Sequence, residues 1–87
     1  MNSHASPSFW TAYDGLPPEI QKQADEKFDL WKKNPYHPGL HYKCVNSEKQ
    51  IWSVRITRSY RALGIKDETT MIWFWIGNHD DYDRLLK

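Results

Sequence analysis

The side chains best suited to chemistry fall in two groups. His79 is followed by Asp80, Asp81 and Tyr82, directly beyond the apolar run Met71 to Ile76. An imidazole titrates closest to neutral pH, which makes His79 a candidate general acid or base. The second group is cationic: between residues 43 and 66 stand Lys43, Lys49, Arg55, Arg58, Arg61 and Lys66, with Glu48 as the only acid. A guanidinium presents a planar fork of donors that fits phosphate oxygens. The whole chain carries a formal charge of only +1, which neither announces nor excludes a nucleic-acid partner, so the local basic stretch carries the signal.

Other candidates lead elsewhere. His37 and His41 have the look of a metal pair, but Pro38 and Gly39 between them suit a turn, and no third ligand is near in sequence. No metal and no cofactor is expected. Cys44 is the single cysteine, so the chain alone can form neither a disulfide nor a thiolate cluster, and a reducing cytoplasm is its natural home. No apolar run approaches membrane-spanning length, and the opening MNSHASPSFW lacks the basic start and apolar stretch of a secretion signal. These features predict a soluble, cytoplasmic protein with no membrane partner.

The elements that must position these residues centre on Ile51 to His79. Trp52, Val54 and Ile56 alternate with Ser53, Arg55 and Thr57, and a period of two sends successive side chains to opposite faces. Arg55 therefore belongs to the polar face. Tyr60 to Ile65 continues as a second strand, and KDETT, residues 66 to 70, makes a polar turn. The run MIWFWI then reads as a central strand buried on both faces, completing an antiparallel meander. An edge strand is expected from Leu40 to Val45, with a polar hairpin loop, NSEKQ, after it.

Upstream, Ser6 and Pro7 suit the start of a short helix that shares Phe9, Trp10, Tyr13 and Leu16 on one face and ends near Gly15. From Glu19 a longer helix carries the stripe Ile20, Ala24, Phe28 and Trp31 and stops before Asn34 and Pro35. The two helices should pack as a hairpin on one face of the sheet. Asn78 suits the cap of a final short helix, with Asp80 and Asp81 in its first turn and Arg84 and Lys87 in its last. At 87 residues the chain is read as one domain, residues 1–87, with residues 1–6 expected to fray.

This order of elements, together with NP-x-HP-G-L, WSVRITRSYRALG and IWFWIGNHDDYDRLL, resembles the RelE/ParE toxin superfamily of bacterial type II toxin–antitoxin systems. The likeness spans Leu16 to Leu86. It implies an α+β fold: two N-terminal helices on a curved antiparallel sheet of about four strands, a short C-terminal helix, and a functional surface on the sheet's other face. It also implies a cognate antitoxin as partner and one of two activities, with an inactive orphan domain of the same fold, retained only for binding, as a further alternative. Ribonuclease members of the superfamily cleave mRNA, usually on the ribosome, whereas ParE-like members act on DNA gyrase.

For the ribonuclease branch, the resemblance assigns Arg61 and Arg55 to the phosphate and His79 and Tyr82 to acid–base or stacking roles. Lys43, Arg58 and Lys49 would contact substrate. Five of these have a plainer reading: Arg55, Arg58 and Lys49 as solvated charges, His79 as a helix cap bonded to the backbone of Asp80 or Asp81, and Tyr82 as a ring packed on the sheet. Asp80 and Asp81 are alternative sources of a carboxylate. Ser53 stands where such relatives often carry a lysine, and the near-neutral charge departs from their usual basicity.

Overall fold

A computed structural model of the chain describes residues 2–86. In chain order it contains β1 (Asn2–Ala5), α1 (Pro7–Asp14), α2 (Pro18–Lys33), a 3-10 turn (Pro38–Leu40), β2 (Lys43–Asn46), β3 (Ile51–Arg55), β4 (Tyr60–Asp67), β5 (Thr70–Asn78) and α3 (His79–Leu86). The strands form one sheet in the order β1-β5-β4-β3-β2. β2 to β5 are the expected meander, antiparallel throughout.

The N terminus departs from expectation. Residues 2–5, expected to fray, form β1 and pair in parallel with β5. The bonds Asn2 N–H to Thr69 O (3.0 Å) and Ser6 N–H to Trp73 O (2.9 Å) bracket the strand. Backbone groups make this pairing, so a polar segment without a hydrophobic pattern suffices. β1 covers the edge that β5 would otherwise leave open. Met1, and Lys87 that was expected in the last turn of the final helix, lie outside the described residues.

Both early helices start and stop where their residues dictate. The Ser6 hydroxyl accepts from Phe9 N–H, Pro7 opens α1, and Gly15 closes it. In α2, Ala24 and Trp31 are buried, and the helices meet the sheet through rings. Phe28 and Trp31 both pack edge-on against Trp73, at 5.1 Å and 5.4 Å between centroids. Trp10, expected on the packed face of α1, is 50% exposed. Phe9 takes the core position beside it.

Two strand expectations also need correction. The predicted strand from Leu40 begins only at Lys43, because Leu40 closes the 3-10 turn and is fully buried there. β5 is not buried evenly on both faces: Met71 and Trp73 face the helices, while Ile72 is exposed. The register slips between Leu63 and Gly64, whose partners are Trp75 and Trp73, so Phe74 is the extra residue of a bulge. The Ser8 hydroxyl donates to the Phe74 carbonyl at 2.8 Å and ties α1 to that bulge. Past it, Ile76 returns to the core. No helix among the described residues is long and apolar enough to cross a membrane.

Candidate active site

Val54 and Ala62, register partners on β3 and β4, lie in the core under the helices. Their neighbours Arg55 and Arg61 must therefore point to the opposite face. There they are partners too, with Gly77 of β5 completing the row. The next row on this face is Lys43, Ser53, Leu63 and Trp75. Lys43 is exposed and stands one strand over from Arg55 and about 7 Å along it.

The two arginines are held differently. Arg61 Nη1 donates to the carbonyls of Thr57 (2.7 Å), Tyr60 (3.0 Å) and, more weakly, Arg58 (3.4 Å). It closes the β3–β4 turn like a clasp. Burial, and then repulsion from Arg55, lower its pKa from the ordinary arginine value, while Tyr82 and Asp83 act in the other direction. Arg55 Nη1 instead lies 3.4 Å from His41 Nε2. His41 sits in the left-handed region (φ 46°) after the 3-10 turn. His37 is engaged in that same turn, its Nδ1 accepting from Gly39 N–H at 3.1 Å.

β5 runs directly into α3, and His79 N–H donates to the Ser59 carbonyl at 2.7 Å, which ties the junction to the Arg61 turn. Asn78 caps the helix as expected, its Oδ1 accepting from Asp81 N–H at 2.9 Å. His79 is exposed, and its Nδ1 lies 3.1 Å from Asp83 Oδ2, a pair at the i,i+4 spacing. Its ring centre is 5.9 Å from that of Tyr82. Tyr82 is only 8% exposed, so its ring is part of the packing between α3 and the sheet. Asp81 pairs with Arg84 at 3.0 Å, and Asp80 is exposed.

The fold thus brings Arg55, Arg61, His79 and Tyr82 to one end of the sheet, with Arg58 exposed in the β3–β4 turn. Lys49 does not join them. It lies in the hairpin before Ile51, at the far end of β3, about 13 Å from Arg55. Sequence reasoning missed Asp83 and His41. The spacing of His79 and Asp83 signals the first on a helix; the second depends on a loop contact that no local pattern encodes. Trp75 is also part of this face. A Cβ on Gly77 would run into its ring, so the missing side chain lets the indole lie across the strand. Among the described residues no group of three or more His, Cys, Asp or Glu side chains is placed to hold a metal.

The model of the ParE-like toxin domain family matches residues 18–84. No curated protein matches in sequence. In fold, the chain is similar to the RelB–RelE antitoxin–toxin complex from Methanococcus jannaschii, with a TM-score of 0.75 and 12% identity, covering 95% of this chain and 98% of that one. It is similar to YafQ from E. coli (TM-score 0.74, 9% identity, covering 93% and 96%). The toxin–antitoxin complex RelBE2 from Mycobacterium tuberculosis gives a TM-score of 0.71 at 21% identity, covering 90% and 96%.

Proposed function

Because the chain belongs to the ParE-like toxin domain family, we propose that it is the toxin of a type II toxin–antitoxin pair and that it cleaves mRNA, on the ribosome, without a metal. The observation that carries this reading is the His79–Asp83 pair, 3.1 Å apart, at the end of the sheet where Arg55 and Arg61 stand side by side. A carboxylate at Nδ1 fixes the imidazole's orientation and leaves Nε2 to exchange a proton with substrate.

The chemistry needs little more. His79 takes the proton of a ribose 2′-hydroxyl, whose oxygen attacks the adjacent phosphorus. The P–O5′ bond breaks, and the departing 5′-oxygen takes up a proton, leaving a 2′,3′-cyclic phosphate and a 5′-hydroxyl. Arg55 and the outward part of the Arg61 guanidinium stabilise charge on the phosphate oxygens. Tyr82 is too covered to stack on a base, so in this reading it contributes its hydroxyl, as proton donor to the leaving oxygen. Lys43 and Arg58 hold the flanking backbone, whereas Lys49 is too distant to share that substrate segment.

A second reading has its own support. Arg61 already serves backbone carbonyls, and the formal charge is only +1, both of which suit a toxin of the same fold that binds a protein target such as DNA gyrase. Mapping mRNA ends after brief induction in cells separates the two. New ends inside translated codons, lost in His79→Ala, support the nuclease; growth arrest with intact messages and DNA-damage signalling supports the protein-binding toxin. A cognate antitoxin, encoded nearby, is expected under both.

A further inference from the structure

The helix side of the sheet holds a cavity of about 340 Å³ between β1, α1 and α2. Its walls are aromatic. Phe9 meets Tyr13 in a stacked arrangement (6.1 Å, 27°) and Phe28 edge-on (5.6 Å), and Trp73 lies beneath Phe28. The Trp73 indole N–H is buried with no hydrogen-bond partner among the described residues. At the rim stand Trp10, half exposed, and two carboxylates, Asp25 and Asp29, one helical turn apart on α2. Lys32 is the rim's one lysine.

Ring faces attract cations through their quadrupole, and carboxylates complete the recognition of a cation that keeps its charge when partly desolvated. Asp25 has one oxygen engaged by the Tyr13 hydroxyl at 2.9 Å. Asp29 makes no hydrogen bond or ion pair among the described residues. With Lys32 set against the two carboxylates, the rim keeps an excess negative charge. A flat guanidinium can lie on a ring and fork to a carboxylate at once, and its apolar stem can follow the aromatic wall, which an ammonium does less well. We infer that this cavity is a docking site for an arginine side chain presented by a partner peptide. It lies on the helix side of the sheet, away from Arg55 and Arg61, so it stands or falls independently of the nuclease reading.

The test titrates the full chain with N-acetyl-arginine methylamide and follows the indole N–H signals of Trp10, Trp73 and Trp75 by NMR. Trp10 and Trp73 should shift saturably while Trp75, on the other face, stays unmoved. Asp29→Asn should weaken binding about two- to fivefold, and Lys32→Ala should strengthen it by a similar factor. Both positions are exposed, and unchanged thermal unfolding of each variant confirms an intact fold. Absence of a saturable shift overturns the inference, as does equal binding of the uncharged citrulline counterpart. Equal binding of the lysine counterpart overturns the choice of arginine. Shifts of the same indoles with protein concentration alone would give the cavity to a second copy of the chain.

Discussion

Arg55 and Arg61 face each other directly across β3 and β4, a register position where like charges repel and opposite charges usually sit. The fold tolerates the pair because Arg61 is anchored by the carbonyls of Thr57 and Tyr60. Two positive charges are thereby held side by side on the face away from the helices.

The two arginines should therefore differ in what they do for stability. Arg61→Ala removes a charged donor from those carbonyls and should cost about 1–2 kcal/mol in urea unfolding. Arg55→Ala relieves repulsion and should leave stability unchanged or raised by up to about 0.5 kcal/mol. Added salt should stabilise the wild type more than Arg55→Ala, since it screens the repulsion that the variant lacks. Equal losses at both positions would contradict this division of labour.

Gly77 should tolerate no side chain while Trp75 is in place. The three atoms nearest a Cβ at this position all belong to the Trp75 indole, a bulky ring that must swing as a whole to make room. Gly77→Ala should cost about 1–3 kcal/mol by overpacking. In the Trp75→Leu background the same change should cost much less, and a double-mutant cycle reads the difference.

Alkaline stability should depend on Tyr42. Its hydroxyl is buried, and burial pushes its pKa up to about 12, against a weaker pull from the Trp31 indole. Among the described residues neither group completes a hydrogen bond of good geometry. The folded state thus holds the phenolic proton more tightly than the unfolded chain, whose tyrosines ionise near pH 10. This contribution is fully present below pH 10 and is lost as pH rises through about 12. Tyr42→Phe should stay within about 1 kcal/mol of wild type at pH 7 and show a flatter decline in unfolding free energy above pH 10.

The parallel strand β1 predicts a fourth outcome. Deleting residues 1–5 removes the β1–β5 pairing and should lower stability by about 1–3 kcal/mol. It should also open the β5 edge, seen as concentration-dependent association in sedimentation. A monomeric variant of unchanged stability would show that β1 adds nothing.

Much of this fold was legible because the informative residues act locally. The stripe Ile20, Ala24, Phe28 and Trp31 specifies α2; Ser6 with Pro7, and Asn78, mark the starts of α1 and α3; the alternation from Trp52 to Arg55 gives β3 and its polar face. β1 was invisible because backbone groups make its pairing, and Asn2 to Ala5 carry no pattern that calls for it. The bulge at Phe74 was hidden inside an unbroken apolar run, where a slip in register leaves no compositional trace. At the candidate site, residue types together with the family resemblance pointed to Arg55, Arg61, His79 and Tyr82, but not to what each touches. The clasp of Arg61 on its turn and the contact of Arg55 with His41 arise only when separate segments meet. Asp83 was within reach of helical spacing, one turn beyond His79.

The proposed ribonuclease activity is read out by single-turnover cleavage of mRNA on translating ribosomes by the purified wild type, His79→Ala and Asp83→Asn, with the chemistry of the new ends determined. Catalysis by His79 predicts 2′,3′-cyclic phosphate and 5′-hydroxyl ends, a loss of about 10²–10⁴-fold in His79→Ala, and a smaller loss in Asp83→Asn. Intact message, or cleavage that His79→Ala leaves unchanged, would contradict it.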